Sequence, residues 1–222
     1  MKRALMMLMA LLGASMAGTL AQAQTLSGDV QAGARKATML CMGCHAIPGY
    51  RASFPEIHRV PMISGQTKAY LVAALTAYRQ GDRRHPTMRG VARSLTDQDI
   101  ADIAAYYASH RRVDQPAVPA IPAPIPPRVS ALFDRGACMQ CHGANMNSPT
   151  DPSFPKLAGQ HADYLFVAMR AYRIEGNRKV GRNNPVMRAI VRQFTDAELR
   201  LMAEHIATMP GNLHTVPAPR FR

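Results

Sequence analysis

Cys41-Met42-Gly43-Cys44-His45 recurs 97 residues later as Cys138-Met139-Gln140-Cys141-His142, and the two copies use all four cysteines of the 222-residue chain. This Cys-x-x-Cys-His spacing is the attachment signature of c-type haem. Two thiols reach the two vinyl groups of one porphyrin, and the adjacent His45 or His142 meets the iron from the proximal side. Other readings of the cysteines account for less. A thioredoxin-like pair follows a strand in a βαβ pattern, and no such pattern surrounds either copy. A four-cysteine zinc site does not need a histidine beside each pair. A structural disulfide would leave the repeated histidine unexplained. Two covalently bound haem c groups are therefore expected, on Cys41 and Cys44 and on Cys138 and Cys141.

Aligning the motifs exposes a tandem duplication. Pro61-Met62-Ile63-Ser64-Gly65-Gln66 follows the first motif and Pro155-Lys156-Leu157-Ala158-Gly159-Gln160 the second. Tyr70, Leu71, Ala74, Leu75 and Tyr78 then match Tyr164, Leu165, Ala168, Met169 and Tyr172 at a helical period. Each of these segments is expected to stop at a glycine, Gly81 or Gly176. The last helix of each half starts at a threonine cap, Thr96 or Thr195. Glu198 completes a capping box, and Asp99 offers a weaker one. Leu95 with Ile100 and Phe194 with Leu199 form staple pairs, and core faces follow at Ile100, Ile103, Ala104, Tyr107 and at Leu199, Met202, Ala203, Ile206. Short helices are expected before each motif, at residues 30–40 and 129–137. No convincing strand appears, so the fold class is all-α, with two tandem units of a few helices around one haem each.

Domain boundaries follow from composition. Residues 1–23 read as a signal peptide, with Lys2 and Arg3 before an apolar run and Ala21-Gln22-Ala23 as the cleavage site. The first domain is expected over 24–113, a proline-rich linker over 114–128 and the second domain over 129–222. Six prolines within residues 116–127 forbid a helix there and favour an extended path of roughly 37 Å. That path is long enough to strap across both domains or to hold them apart.

Met88 and Met187 are the candidate second axial ligands. Both stand in a Pro-x-Met-Arg setting, in basic loop sequence, eight residues before the capping threonine. A thioether opposite an imidazole seals the iron and raises its potential, which suits electron transfer. Met169 and Met202 fit apolar helix faces instead. His58 and His85 have no histidine counterpart in the second half, and a solvated surface position is expected for both, as for His110, His161 and His214.

With these residues in view, the chain resembles the di-haem cytochrome c4 family, most clearly in Cys141-His142-Gly143-Ala144-Asn145 and Phe154-Pro155-Lys156-Leu157-Ala158-Gly159-Gln160. That likeness implies two tandem class-I cytochrome c-like domains. The resemblance implies a periplasmic carrier that moves electrons between respiratory-chain donors and a terminal oxidase or other acceptor. It implies His/Met ligation of two haems held close together. It also implies that a proline carbonyl orients each proximal histidine. By position these are Pro61 and Pro155, with Pro55 a second candidate in the first half. That half departs from the pattern after His45, and its loop to Gly65 is three residues longer.

The formal charge is +13, or +11 without Lys2 and Arg3. This favours redox partners with acidic docking faces, such as a terminal oxidase, a quinol-oxidising complex or a dehydrogenase; an anionic membrane surface is a further candidate. Arg79, Arg83, Arg84, Arg178, Lys179 and Arg182 are available for steering. An exported haem protein has no access to nucleic acid, so that partner is not expected. The alternative function is the haem c electron-transfer subunit of a periplasmic dehydrogenase of flavocytochrome or quinoprotein type. A haem enzyme such as a thiosulfate dehydrogenase or peroxidase needs an open iron, which the matched methionines argue against. No catalytic residue is assigned.

Overall fold

In the computed structural model, residues 26–110, 117–120 and 124–218 are described; the expected signal peptide and parts of the expected linker lie outside them. The first half begins with α1 (Val30–Leu40), whose N-cap Asp29 accepts from the Ala32 N–H at 2.6 Å. Cys41 ends α1 and leads into the single turn of α2 (Met42–His45). A hairpin of β1 (Arg51–Ala52) and β2 (His58–Arg59) follows. Then come α3 (Lys68–Gln80), β3 (Arg83–Arg84), α4 (Pro86–Arg93) and α5 (Asp97–Ser109). The second half repeats the order with α6 (Pro127–Arg135), α7 (Cys138–His142), α8 (Ala162–Ala171), β4 (Gly181–Arg182), α9 (Pro185–Val191) and α10 (Asp196–Thr208).

The threonine caps act as expected. Both α5 and α10 carry complete capping boxes, so Asp99 performs the role as fully as Glu198 does. Thr67 caps α3 and Gly81 ends it in a left-handed conformation, the glycine supplying a φ that other residues avoid. Helix α8 departs from expectation. It ends at Ala171, and the chain winds down through tightened turns, Tyr172 to Met169 and Arg173 to Arg170, before Gly176. In repeat register Gly81 corresponds to Glu175, so no glycine stands where the left-handed cap is needed.

Helices α1 and α5 cross at close range because two glycines lie at the contact. A Cβ on Gly28 would sit 2.2 Å from the Ala101 carbonyl oxygen, and one on Gly33 2.1 Å from that of Asp102. Around this crossing Ala37, Leu71, Leu95, Ile100, Ile103, Ala104 and Tyr107 form a small core. The second core is larger and takes in Phe133, Phe166, Phe194, Met146 and the buried face of α10. All eight residues expected on the inner faces of the two last helices are buried.

The two halves interlock. Strands β3 and β4 pair antiparallel across the boundary, Arg83 with Arg182 and Arg84 with Gly181. The longer first-half loop forms the β1–β2 hairpin, and it docks on α8 through Arg59. That backbone N–H and the guanidinium bond the Asp163 carboxylate at 3.1–3.2 Å, while Glu56 meets Arg170 at 2.9 Å. The described part of the proline segment lies against the second half: Asn145 donates to the Pro119 carbonyl at 3.0 Å, and Ile125 packs on the second core. Two-residue strands carry too little alternation to be seen in a sequence.

Candidate functional site

Each Cys-x-x-Cys-His run is a helical turn. In the first, the N–H groups of Cys44 and His45 both point to the Cys41 carbonyl, at 3.2 and 3.0 Å. A separation of three residues then places the two sulfurs on one face. All four cysteines are partly buried and none pairs with another. Burial pushes the Cys41 thiol up to about 11, with the nearby Tyr107 hydroxyl opposing the rise and Cys44 adding to it. Burial likewise lifts Cys138 to about 11.

The histidines are held alike. His45 Nδ1 donates to the Pro61 carbonyl at 2.9 Å, and His142 Nδ1 donates to that of Pro155 at 3.0 Å. Pro61, rather than Pro55, therefore does the orienting in the first half. A proton committed to Nδ1 leaves the Nε2 lone pair free for a metal. Burial lowers the pKa of both rings, against the opposing effect of the carbonyl bonds, so both are neutral imidazoles at physiological pH.

Met88 and Met187 lie in short helices rather than in the loops expected. Each is the third residue of its helix, α4 or α9, after a proline at the first position. A first-position proline fits because its missing N–H has no helical partner there. The N-caps differ: Asn184 accepts from the Met187 N–H at 2.9 Å, whereas His85 makes no cap bond. Both methionines are partly buried. Met187 packs on the same core as Cys138, while Met88 lies outside the first half's core cluster.

Between the halves lies a cationic cluster that sequence reasoning misplaced. Arg83 and Arg182 are half-buried at the boundary. Arg83 donates to Tyr70 and Tyr164, both at 3.2 Å, and Arg182 donates to Tyr164 at 3.0 Å. Arg83 also lies 4.6 Å over the Tyr78 ring, and Arg182 5.3 Å over Tyr172. Burial pushes the Tyr164 hydroxyl up, but the two guanidiniums outweigh it and hold the group at about 8. Neither arginine has a carboxylate partner among the described residues, and the buried Nε–H groups of Arg83, Arg84 and Arg89 lack acceptors. Buried cations and orphaned N–H groups require an anion. The two carboxylate arms of a porphyrin are of the right chemistry, so the donor set fits haem. The repeat held the signal: Tyr70 pairs with Tyr164 and Tyr78 with Tyr172, and Arg83 meets three of these residues and Arg182 two.

His58 is also not where expected. It is buried, its Nδ1 bonded to the Glu56 carbonyl at 2.8 Å and its ring against Tyr164. Of the expected steering residues, Arg178 and Lys179 are exposed, whereas Arg79 is tied to Asp97 and Arg84 to the Ile174 carbonyl.

Comparison with known proteins agrees with the duplication. The family model for cytochrome c matches twice, over residues 30–111 and 128–210. A cytochrome c4 of Pseudomonas aeruginosa is 31% identical over 187 residues, covering 81% of this chain and 88% of the relative. A protein of Stutzerimonas stutzeri named thiosulfate dehydrogenase electron acceptor is 34% identical over 200 residues, with 85% of this chain and 88% of the relative covered. The crystal structure of reduced recombinant cytochrome c4 from Pseudomonas stutzeri is similar at a TM-score of 0.59 and 25% identity, covering 83% of this chain and all of that one.

Proposed function

This chain belongs to the cytochrome c family and within it to the di-haem cytochrome c4 group, an electron-transfer protein with two covalently bound haem c groups, and on that premise we propose that it is a periplasmic relay between respiratory-chain donors and a terminal oxidase or other acceptor. Cys41 and Cys44 carry one haem and Cys138 and Cys141 the other. His45 and His142 would each bind an iron, with Met88 and Met187 supplying the second ligands. Each haem supplies a metal that can take up and release one electron. The polypeptide supplies the rest. Pro61 and Pro155 hold the imidazole tautomer, the methionine-bearing helices close the second face, and Arg83 and Arg182 neutralise acidic arms at the boundary.

The observation that carries this reading is the matched His–proline geometry in both halves, 2.9 and 3.0 Å, on domains locked together by a shared strand pair. Export is supported by the leader-like residues 1–23, and no helix among the described residues is long and apolar enough to cross a membrane. A spectroscopic redox titration of the holoprotein tests it. Two low-spin transitions and a Met–iron(III) band are expected. Ready binding of cyanide or carbon monoxide to either iron at neutral pH would reject the sealed carrier and favour an enzyme.

A second reading has a specific observation behind it. The relative named thiosulfate dehydrogenase electron acceptor supports a dedicated role beside a periplasmic dehydrogenase. Purification from the native host separates the two, since a stoichiometric dehydrogenase partner favours the dedicated role.

A further inference from the structure

Gln66 and Gln160 hold the same place in the two repeats, and each is only 5% exposed. Their amides do not stay within their own halves. Gln160 accepts from the Met62 N–H at 3.0 Å and donates to the Met62 carbonyl at 2.8 Å. Gln66 treats Lys156 in the same way, accepting from its N–H at 2.9 Å and donating to its carbonyl at 3.0 Å. Each amide thus closes a two-bond ring on the backbone of one residue in the opposite domain, which sets both the position and the tilt of that unit. Each amide oxygen is also anchored at home, by the Thr67 N–H at 2.9 Å or the His161 N–H at 3.0 Å.

The clamped residues are the ones that follow Pro61 and Pro155. Those prolines carry the carbonyls that accept from His45 and His142. The path from glutamine amide to clamped residue, proline carbonyl and imidazole is continuous, starts at a buried amide and passes only through buried or half-buried residues, and it runs in both directions across the boundary. We infer that Gln66 and Gln160 are crossed positioning residues, each setting the hydrogen bond that orients the axial histidine of the haem in the opposite domain. This rests on the axial roles proposed above for His45 and His142.

The consequence has a sign. A carbonyl accepting from the imidazole N–H makes the ring a stronger donor to the metal, which favours the oxidised iron. Releasing the clamp lets the loop drift, weakens that bond and raises the potential of the haem across the boundary. The two clamps are unequal. Lys156 also ties its own loop down, donating from Nζ to the Gly65 carbonyl at 2.9 Å, and Met62, its counterpart, has no such arm. The first-domain haem therefore depends more on Gln160 than the second-domain haem does on Gln66.

The test uses the two-haem protein and its variants Gln160→Leu and Gln66→Leu. Potentials are read for each haem separately from its methyl resonances in NMR-monitored redox titrations. Gln160→Leu is expected to raise the first-domain potential and leave the second in place. Gln66→Leu is expected to raise only the second, by a smaller shift. Movement of the haem in the mutated residue's own domain, an equal shift of both, or no shift in either would overturn the inference; a purely structural role lowers stability without such crossed shifts. If Gln160→Leu fails to accumulate with both haems, Gln160→Asn must raise the same potential by a smaller amount. Failure of the axial assignment itself is visible separately, as an unperturbed protein whose spectrum lacks histidine-ligated low-spin iron.

Discussion

Met187 packs on the second core, and in the proposed reading its thioether binds the second iron. Its N–H is held by Asn184, its side chain is unbranched and polarizable, and it sits beside the core that Cys138 also touches. Replacing it with alanine is expected to open the second iron and lower that haem's potential. The Met–iron(III) absorption should fall by about half, because Met88 retains its share. An unchanged band would reject the assignment. At this scale the sequence was informative wherever the repeat provided a second copy. Pro61 could be preferred to Pro55 only once the backbone was known, because the choice depends on which carbonyl faces His45. His58 and the arginines were misplaced because polar residues read as solvated unless a partner is visible, and tyrosines, which are not carboxylates, do not announce themselves as partners; for Arg83 one of them, Tyr164, also lies 81 residues away.

Helix starts were legible because a cap is a local code, in which Thr195 and Glu198 satisfy each other's backbone N–H groups within one turn. The Glu198 carboxylate is held down to about 2, first by the Thr195 N–H and then by Arg135. A depressed folded value means the stabilisation is complete above the unfolded value of 4.5 and is lost as pH falls toward about 2. Glu198→Gln should therefore flatten the acid limb of stability between those pH values, which denaturation midpoints at pH 5, 4 and 3 would reveal. Helix crossings were not legible, since glycine is equally common in turns. Gly33→Ala drives a Cβ against the Asp102 carbonyl and is expected to cost about 2 kcal/mol. Gly90→Ala, with nothing within 4 Å of the added carbon, should leave stability equal or slightly higher. Equal midpoints for the two variants would show that α1 and α5 tolerate separation.

Across the whole molecule, the basic excess divides into two populations that composition cannot separate. Arg83, Arg84 and Arg182 are turned inward at the domain boundary, whereas Arg178 and Lys179 stand exposed in the segment between α8 and β4. The first group belongs to the interior, where the repeated tyrosines and the crossed glutamines gather, so its charge is unavailable to an approaching partner. The second is free to steer. Exposed charges contribute roughly 0.5 kcal/mol each across a loose contact. Converting both Arg178 and Lys179 to glutamine should therefore slow association with an acidic redox partner about fivefold at low salt. The difference should vanish once the ionic strength brings the Debye length to about 3 Å near 1 M. Arg182→Gln should behave in the opposite sense, with little change in the salt dependence of association but altered haem potentials, because its guanidinium faces Tyr164 and Tyr172 rather than solvent. Stopped-flow electron transfer over a salt series separates the two. A salt slope that responds to Arg182 and ignores Arg178 and Lys179 would place the docking face at the domain boundary instead.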